Sequence, residues 1–202
     1  MPKLLLATTN RGKIREYRHL LDGLPFELVT PDEVGVKIDV EENHPSYEEN
    51  ARMKATAYAG ASRLITLADD SGVEVDALDG EPGIRSARAA GEEANDEDRI
   101  GHLLSRLKHV PWEKRTAHFK CVIAIATPEG RVELCHGECQ GLIAFEPSGD
   151  NGFGYDPVFY LPELEKTMAE LPLDMKNQIS HRGKAARKAY QILEQLAEKV
   201  KP

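Results

Sequence analysis

Two aspartates stand side by side at Asp69-Asp70, after the apolar run Leu64 to Ala68 and before Ser71-Gly72. Chemistry collects at such places, because open α/β sheets present their ligands at the carboxyl ends of strands. Side chains alternate along a strand, so one acid is expected to support the fold while the other can hold a divalent cation or take a proton from water. An Asx turn capped by Ser71 accounts for the same residues without chemistry. Glu41-Glu42 form a second acid pair ahead of a helix. Magnesium is commonly held by one or two carboxylates plus waters and substrate phosphates, so this pair either completes a metal site or is a solvated surface pair.

Thr8-Thr9-Asn10-Arg11-Gly12-Lys13 sets hydroxyls, an amide, a glycine and a lysine where an apolar run meets a helical pattern. A helix start offers unpaired N–H groups and the positive end of its dipole, which suits an anion, and Gly12 permits close approach. The segment lacks the two-glycine spacing of a Walker A loop, and an ordinary capped helix start has the same composition. Lys54 is a second phosphate contact or a solvated side chain. In Asp150-Asn151-Gly152-Phe153-Gly154-Tyr155-Asp156-Pro157, an aromatic between glycines can lie flat on a base, a contact worth about 1–3 kcal/mol in single-strand binders. A tight turn with core aromatics fits the same string. Lys176 and Ser180-His181-Arg182 concentrate donors before the last helix; Arg182 either forks onto a purine carbonyl edge or is one polar residue of a helix start.

These segments need a scaffold. Lys3 to Thr9 reads as a short buried strand, and Asn10 caps a helix to about Asp22 with Ile14, Tyr17, Leu20 and Leu21 on one face. Ser46 and Glu49 form a capping box that opens an Ala-rich helix to Ser62. Leu64 to Ala68 is a strand ending at the acid pair, where Gly72 permits a turn, and Gly72 to Asp76 reads as a further strand. Beyond the turn-dense Asp79 to Gly83, Asn95 or Asp96 caps a helix carrying Ile100, Leu103, Leu104 and Leu107. Arg115 to Thr127 alternates, with Ala117, Phe119, Cys121, Ile123 and Ile125 on one face. It turns at Pro128-Glu129-Gly130 into a partner from Arg131 to Phe145, making a long hairpin. Val158 to Tyr160 is a short strand, and Gly183 to Val200, capped by Ser180, is a closing helix with Ala186, Tyr190, Leu193 and Ala197 inward. The fold class is α/β, a mixed sheet flanked by helices in one two-lobed domain over residues 1–202, with an active-site cleft between the lobes.

Composition narrows the partners. The net charge of −8 argues against a nucleic-acid polymer, whose phosphates demand excess Lys and Arg. No apolar run approaches the length of a membrane span and the N-terminal apolar stretch is too short for a signal peptide, so neither a membrane nor export is expected and the cytoplasm is the expected location. Cys121, Cys135 and Cys139 are odd in number and lack a C-x-x-C pair, which favours free buried thiols over disulfides or zinc.

Several segments occur together in one order: Ala7-Thr8-Thr9-Asn10 with Gly12-Lys13, Glu49-Asn50-Ala51, Ala68 to Gly72, Pro82-Gly83-Ile84, Gly152 to Pro157, Ala169-Glu170-Leu171 and Ile179 to Arg182. In these the chain resembles the inosine triphosphate pyrophosphatase family, the non-standard purine nucleotide pyrophosphatases, over nearly its whole length. The resemblance implies an elongated twisted mixed sheet, usually a homodimer, and magnesium-dependent hydrolysis of inosine, deoxyinosine or xanthosine triphosphate (ITP, dITP, XTP) to monophosphate and pyrophosphate. It implies that Thr8, Thr9, Asn10, Arg11, Gly12 and Lys13 wrap the triphosphate, that Asp70 is base and metal ligand, and that Glu41 is the other metal carboxylate. Ser71 would touch substrate, Phe153 would stack on the base within Phe153-Gly154-Tyr155-Asp156, and Lys176, His181 and Arg182 would surround the sugar and the keto edge. The chain departs from the family pattern at Arg85 and Ala89, where aromatics are common, and near His44, where a glycine is common. Other readings of the site are a pyrophosphatase for modified pyrimidine or methylated nucleotides, and a nucleotide-sensing module without turnover.

Overall fold

A computed structural model describes residues 1–200, with side chains to residue 199, so the last two residues of the expected 1–202 domain lie outside it. The chain opens with strand β1 (Lys3–Leu6), helix α1 (Arg11–Leu20) and strand β2 (Glu27–Val29). Helix α2 (Tyr47–Ser62), strand β3 (Ile65–Val75), helix α3 (Asp96–Arg106) and the long strands β4 (Thr116–Ala126) and β5 (Val132–Ile143) follow. Strands β6 (Phe159–Leu161) and β7 (Lys166–Thr167) and helices α4 (Leu173–Ile179) and α5 (His181–Val200) complete it. The strands form a seven-stranded sheet in the order β2-β1-β3-β4-β5-β6-β7. β1 is parallel to both β2 and β3, whereas β6 is antiparallel to β5 and β7, so the sheet is mixed as expected.

Two compact units divide the chain, and β3, β4 and β5 each have residues in both. The first comprises Met1–Asp70, Cys121–Gly137 and Arg182–Pro202. Its core gathers Leu4, Leu6, Tyr17, Leu21, Ile123 and Leu193. Leu4, Leu5 and Leu6 are all fully buried, the pattern of a parallel strand covered on both faces. The second comprises Ser71–Lys120 and Glu138–His181, with Val75, Leu103, Phe119, Ile143 and Phe159 in its core. β4 changes character between them. Ala117 and Phe119 alternate with half-buried His118 and Lys120, but residues 121–126 are buried without interruption, so the one-faced strand read from the sequence is two-faced in its second half.

Helix starts follow the sequence closely. Asn10, Ser46 and Asn95 each accept an N–H from the first turn, and Asn95 forms a reciprocal capping box with Asp98. α5 starts at His181, two residues before the expected Gly183. The expected turn at Asp69-Asp70-Ser71-Gly72 is a correction: β3 runs straight through those residues to Val75, and Gly72 to Asp76 is its continuation. Glycine is required there for another reason, because a Cβ on Gly72 would collide with the Gly83 carbonyl and Ser86 Oγ. The interior of β3 therefore carries the acid pair.

Candidate active site

In the first unit, the loop joining β1 to α1 is shaped by its own side chains. Thr8 Oγ1 accepts the Asn10 N–H at 3.2 Å, and Asn10 Oδ1 accepts the Lys13 N–H at 3.0 Å. Thr9, Asn10 and Arg11 are exposed, and Thr8 and Gly12 are half-buried. Lys13 projects from the first turn of α1 to Asp69 Oδ1 at 3.0 Å.

The two aspartates divide their work as alternation along a strand requires. Asp69, 1% exposed, is ringed by Lys13, by Arg182 Nη2 at 3.4 Å and by the Cys121 thiol, which donates at 3.8 Å. Burial alone would raise its carboxyl, but Lys13, Arg182 and Lys54 more than reverse this and hold it well below the usual carboxylate range. Burial also pushes the Cys121 thiol up, to about 12, so it stays a protonated donor. Asp70 moves the other way. Burial raises its carboxyl and the charge of Glu42 adds to that, against the opposing pull of Lys13, Lys54 and an Asn50 N–H donated to Oδ2 at 3.0 Å. A carboxylate with raised proton affinity is the better general base.

The segment before α2 supplies the other acids. Glu42 pairs with Lys54, whose buried ammonium stays charged because Glu42, Asp69 and Asp70 outweigh its desolvation. Glu41 is exposed and accepts an N–H from Asn43 Nδ2 at 3.1 Å. Glu42, rather than Glu41, thus shares the surroundings of Asp70. Asn50, in the first turns of α2, holds this segment. Its Oδ1 accepts the His44 N–H at 3.0 Å, and its Nδ2 donates to the His44 carbonyl at 3.3 Å as well as to Asp70. Glu16, Glu42, Asp69 and Asp70 against Lys13, Lys54 and Arg182 leave one acid in excess, an environment that favours a cation. Among the described residues no three His, Cys, Asp or Glu side chains gather as a metal cage. Magnesium suits such a donor set, since it needs only one or two carboxylates when phosphates and water supply the rest.

In the second unit, residues 152–156 are tied down at successive points. Asp156 Oδ2 accepts the Phe153 N–H at 2.8 Å and pairs with the buried ammonium of Lys176. Asp96, at the start of α3, accepts the Gly154 N–H at 2.6 Å. Gly152 has φ 77°, and a Cβ there would run into the Asp156 carboxylate, so the turn needs glycine twice over. The Phe153 ring is half-buried with Lys176 Nζ 5.1 Å from its centroid. Tyr155 is buried and donates to the Ser86 carbonyl at 2.9 Å. His181 stacks on Phe119 at 4.6 Å between centroids, and Ser71 is half-buried in β3.

The expected residues thus fall into two sets. Thr8 to Lys13, Glu41 and Asp70 belong to the first unit, where Lys13, Lys54, Asn50 and Glu42 act on Asp70. Phe153 to Asp156, Lys176 and His181 belong to the second. Arg182, expected beside Lys176 and His181, has its ion pairs in the first unit, with Glu16 Oε2 at 2.8 Å and with Asp69. Sequence reasoning missed Glu16, Asn50 and Asp96. A glutamate beside Tyr17 on the inward face of α1 was a usable signal for Glu16; nothing local distinguished Asp96 from a helix-start acid.

Residues 4–192 match the Ham1 family. The dITP/XTP pyrophosphatase of Desulforamulus reducens is 50% identical over 194 residues, 96% of each chain. The dITP/XTP pyrophosphatase of Geobacter sulfurreducens is 50% identical over 185 residues, 92% of this chain and 93% of its own. The structure of a Ham1 protein from Coxiella burnetii superposes with a TM-score of 0.87 at 41% identity, covering 96% of this chain and all of that one.

Proposed function

The chain belongs to the Ham1 family, and from that premise and the geometry above we propose that it hydrolyses non-standard purine nucleoside triphosphates, ITP, dITP and XTP, to monophosphate and pyrophosphate. The observation that carries this reading is Asp70, a buried carboxylate that accepts an Asn50 N–H and feels the charges of Lys54 and of Lys13, which projects from the first turn of α1. A base, phosphate-binding cations and a helix dipole together are what phosphoanhydride hydrolysis requires.

Thr8, Thr9, Asn10, Arg11, Gly12 and Lys13 take the triphosphate. Asp70 orients a water and accepts its proton as the water oxygen bonds to the α-phosphorus; the bond from that phosphorus to the α,β-bridging oxygen breaks and pyrophosphate leaves. Lys13 and Lys54 stabilise the charge that develops on the leaving group. Asp70 with an acid of the 41–42 pair would hold Mg2+. Glu41 suits that role because Glu42 already neutralises Lys54, whereas Glu42 has the advantage of place. When bound, the ion supplies neutralisation of the phosphate oxygens and a template for them. Ser71 touches the substrate. Phe153 stacks on the base from a turn that Gly154, Tyr155 and Asp156 build, and Lys176, His181 and Arg182 address the sugar and the keto edge. A purine with an amino group at position 6 leaves those donors mispaired, which is costly. The two units work as one catalytic domain, and a cytoplasmic homodimer completes the reading, on the family resemblance.

The test is a panel of ITP, XTP, dITP, ATP and GTP with Mg2+, read as kcat/KM. The first three are expected to exceed ATP, whose 6-amino group mispairs with those donors, by about a hundredfold or more. Equal turnover of ATP would overturn the specificity.

A further inference from the structure

We propose that Asn50 is a positioning residue of the reaction, the clamp that fixes Asp70 to the acid-bearing segment 41–44. Three observations carry it. Asn50 is 1% exposed, so its amide has no recourse to solvent. Its oxygen and both its N–H groups are directed at just two places, the His44 backbone on either side and Asp70 Oδ2. And His44 lies two residues past Glu42, so one side chain sets both the orientation of the Asp70 carboxylate and the approach of Glu41 and Glu42 to it.

Asn50 does not touch the reacting atoms in this scheme. It acts through Asp70, in the way that hydrogen-bonding partners orient carboxylate ligands, where removal typically costs 10- to 100-fold in metal affinity or activity. The side chain type matters. Aspartate at 50 would keep the acceptor for the His44 N–H and nearly the same shape, yet lose both donors and face Asp70 with a like charge. Alanine would remove all three bonds.

The inference rests on the proposed activity, and its test separates the two. Asn50→Asp and Asn50→Ala would be compared with the parent in three measurements: kcat and KM for ITP, Mn2+ affinity by electron paramagnetic resonance with α,β-methylene-ITP present, and hydrogen exchange across 41–45. Both variants should lose roughly 10- to 100-fold in kcat with KM changed less than about threefold, lose a similar factor in Mn2+ affinity, and exchange faster at 41–45. Parent-like kcat, Mn2+ affinity and exchange in either folded variant would overturn the clamp. So would a loss of kcat that only tracks global unfolding, with Mn2+ affinity per folded molecule unchanged. If the parent itself fails to hydrolyse ITP, the proposed activity falls, while exchange and Mn2+ binding still decide the role of Asn50. Should Asn50→Ala not fold, the near-isosteric Asn50→Asp carries all three measurements.

Discussion

Asp69 and Asp70 are neighbours in one strand with opposite proton affinities, and the cause lies in their partners. Asp69 faces Lys13 and Arg182 and is kept as an anion, a counter-charge that aims Lys13; Asp70 faces Glu42 and a less complete set of cations. Catalysis by a positioned base is typically worth 10²–10⁴-fold. Asp70→Asn keeps the shape and removes the base, so kcat should fall by about that factor while binding of a non-hydrolysable ITP analogue, measured by calorimetry, changes little. Near-parental turnover in folded Asp70→Asn would remove Asp70 from the chemistry. The pair was legible in the sequence because two adjacent acids rarely follow an apolar run without cause. The burial of Arg182 was not, because its partner Glu16 lies 166 positions away and only the tertiary fold brings them together.

The loop at 152–156 holds its aromatic by hydrogen bonds, and Tyr155 anchors it to the short helical segment Gly83–Arg88. Burial pushes the Tyr155 phenol up to about 12, against an ordinary value near 10. The folded chain therefore keeps a proton that the unfolded chain releases above pH 10. Stability from this group is complete below pH 10 and is lost as pH rises toward 12. Urea unfolding at pH 9 and pH 11.5 should show a decline that is shallower in Tyr155→Phe, which itself loses about 1 kcal/mol at pH 9 for the missing hydrogen bond. An equal decline in both proteins would contradict the assignment. Glycine spacing made the turn legible. What stayed hidden was the direction of its aromatics: Phe153 and Tyr155 look equivalent in the string, and only packing sends Tyr155 into the core. The same limit applies to β3. Polarity at residues 69–72 reads as a turn, but ion pairs to Asp69 and the Asn50 hydrogen bond to Asp70 satisfy the two acids inside a strand that continues to Val75.

On the scale of the whole molecule, the α/β class, the three capped helix starts and the β4–β5 hairpin follow from local signals: a cap residue, an apolar period, a Pro-Glu-Gly turn. Short strands β2 and β7 and helix α4 lacked such signals and form because sheet neighbours or packing stabilise them. The residues proposed for phosphate, base and metal lie in the first unit, together with Arg182, and the aromatic turn lies in the second. The central claim is the bond that breaks. ITP and Mg2+ in ¹⁸O-labelled water, with products resolved by mass spectrometry, test it most directly. Attack at the α-phosphorus predicts one label in inosine monophosphate and none in pyrophosphate. Label in pyrophosphate, or release of diphosphate and orthophosphate, would contradict it.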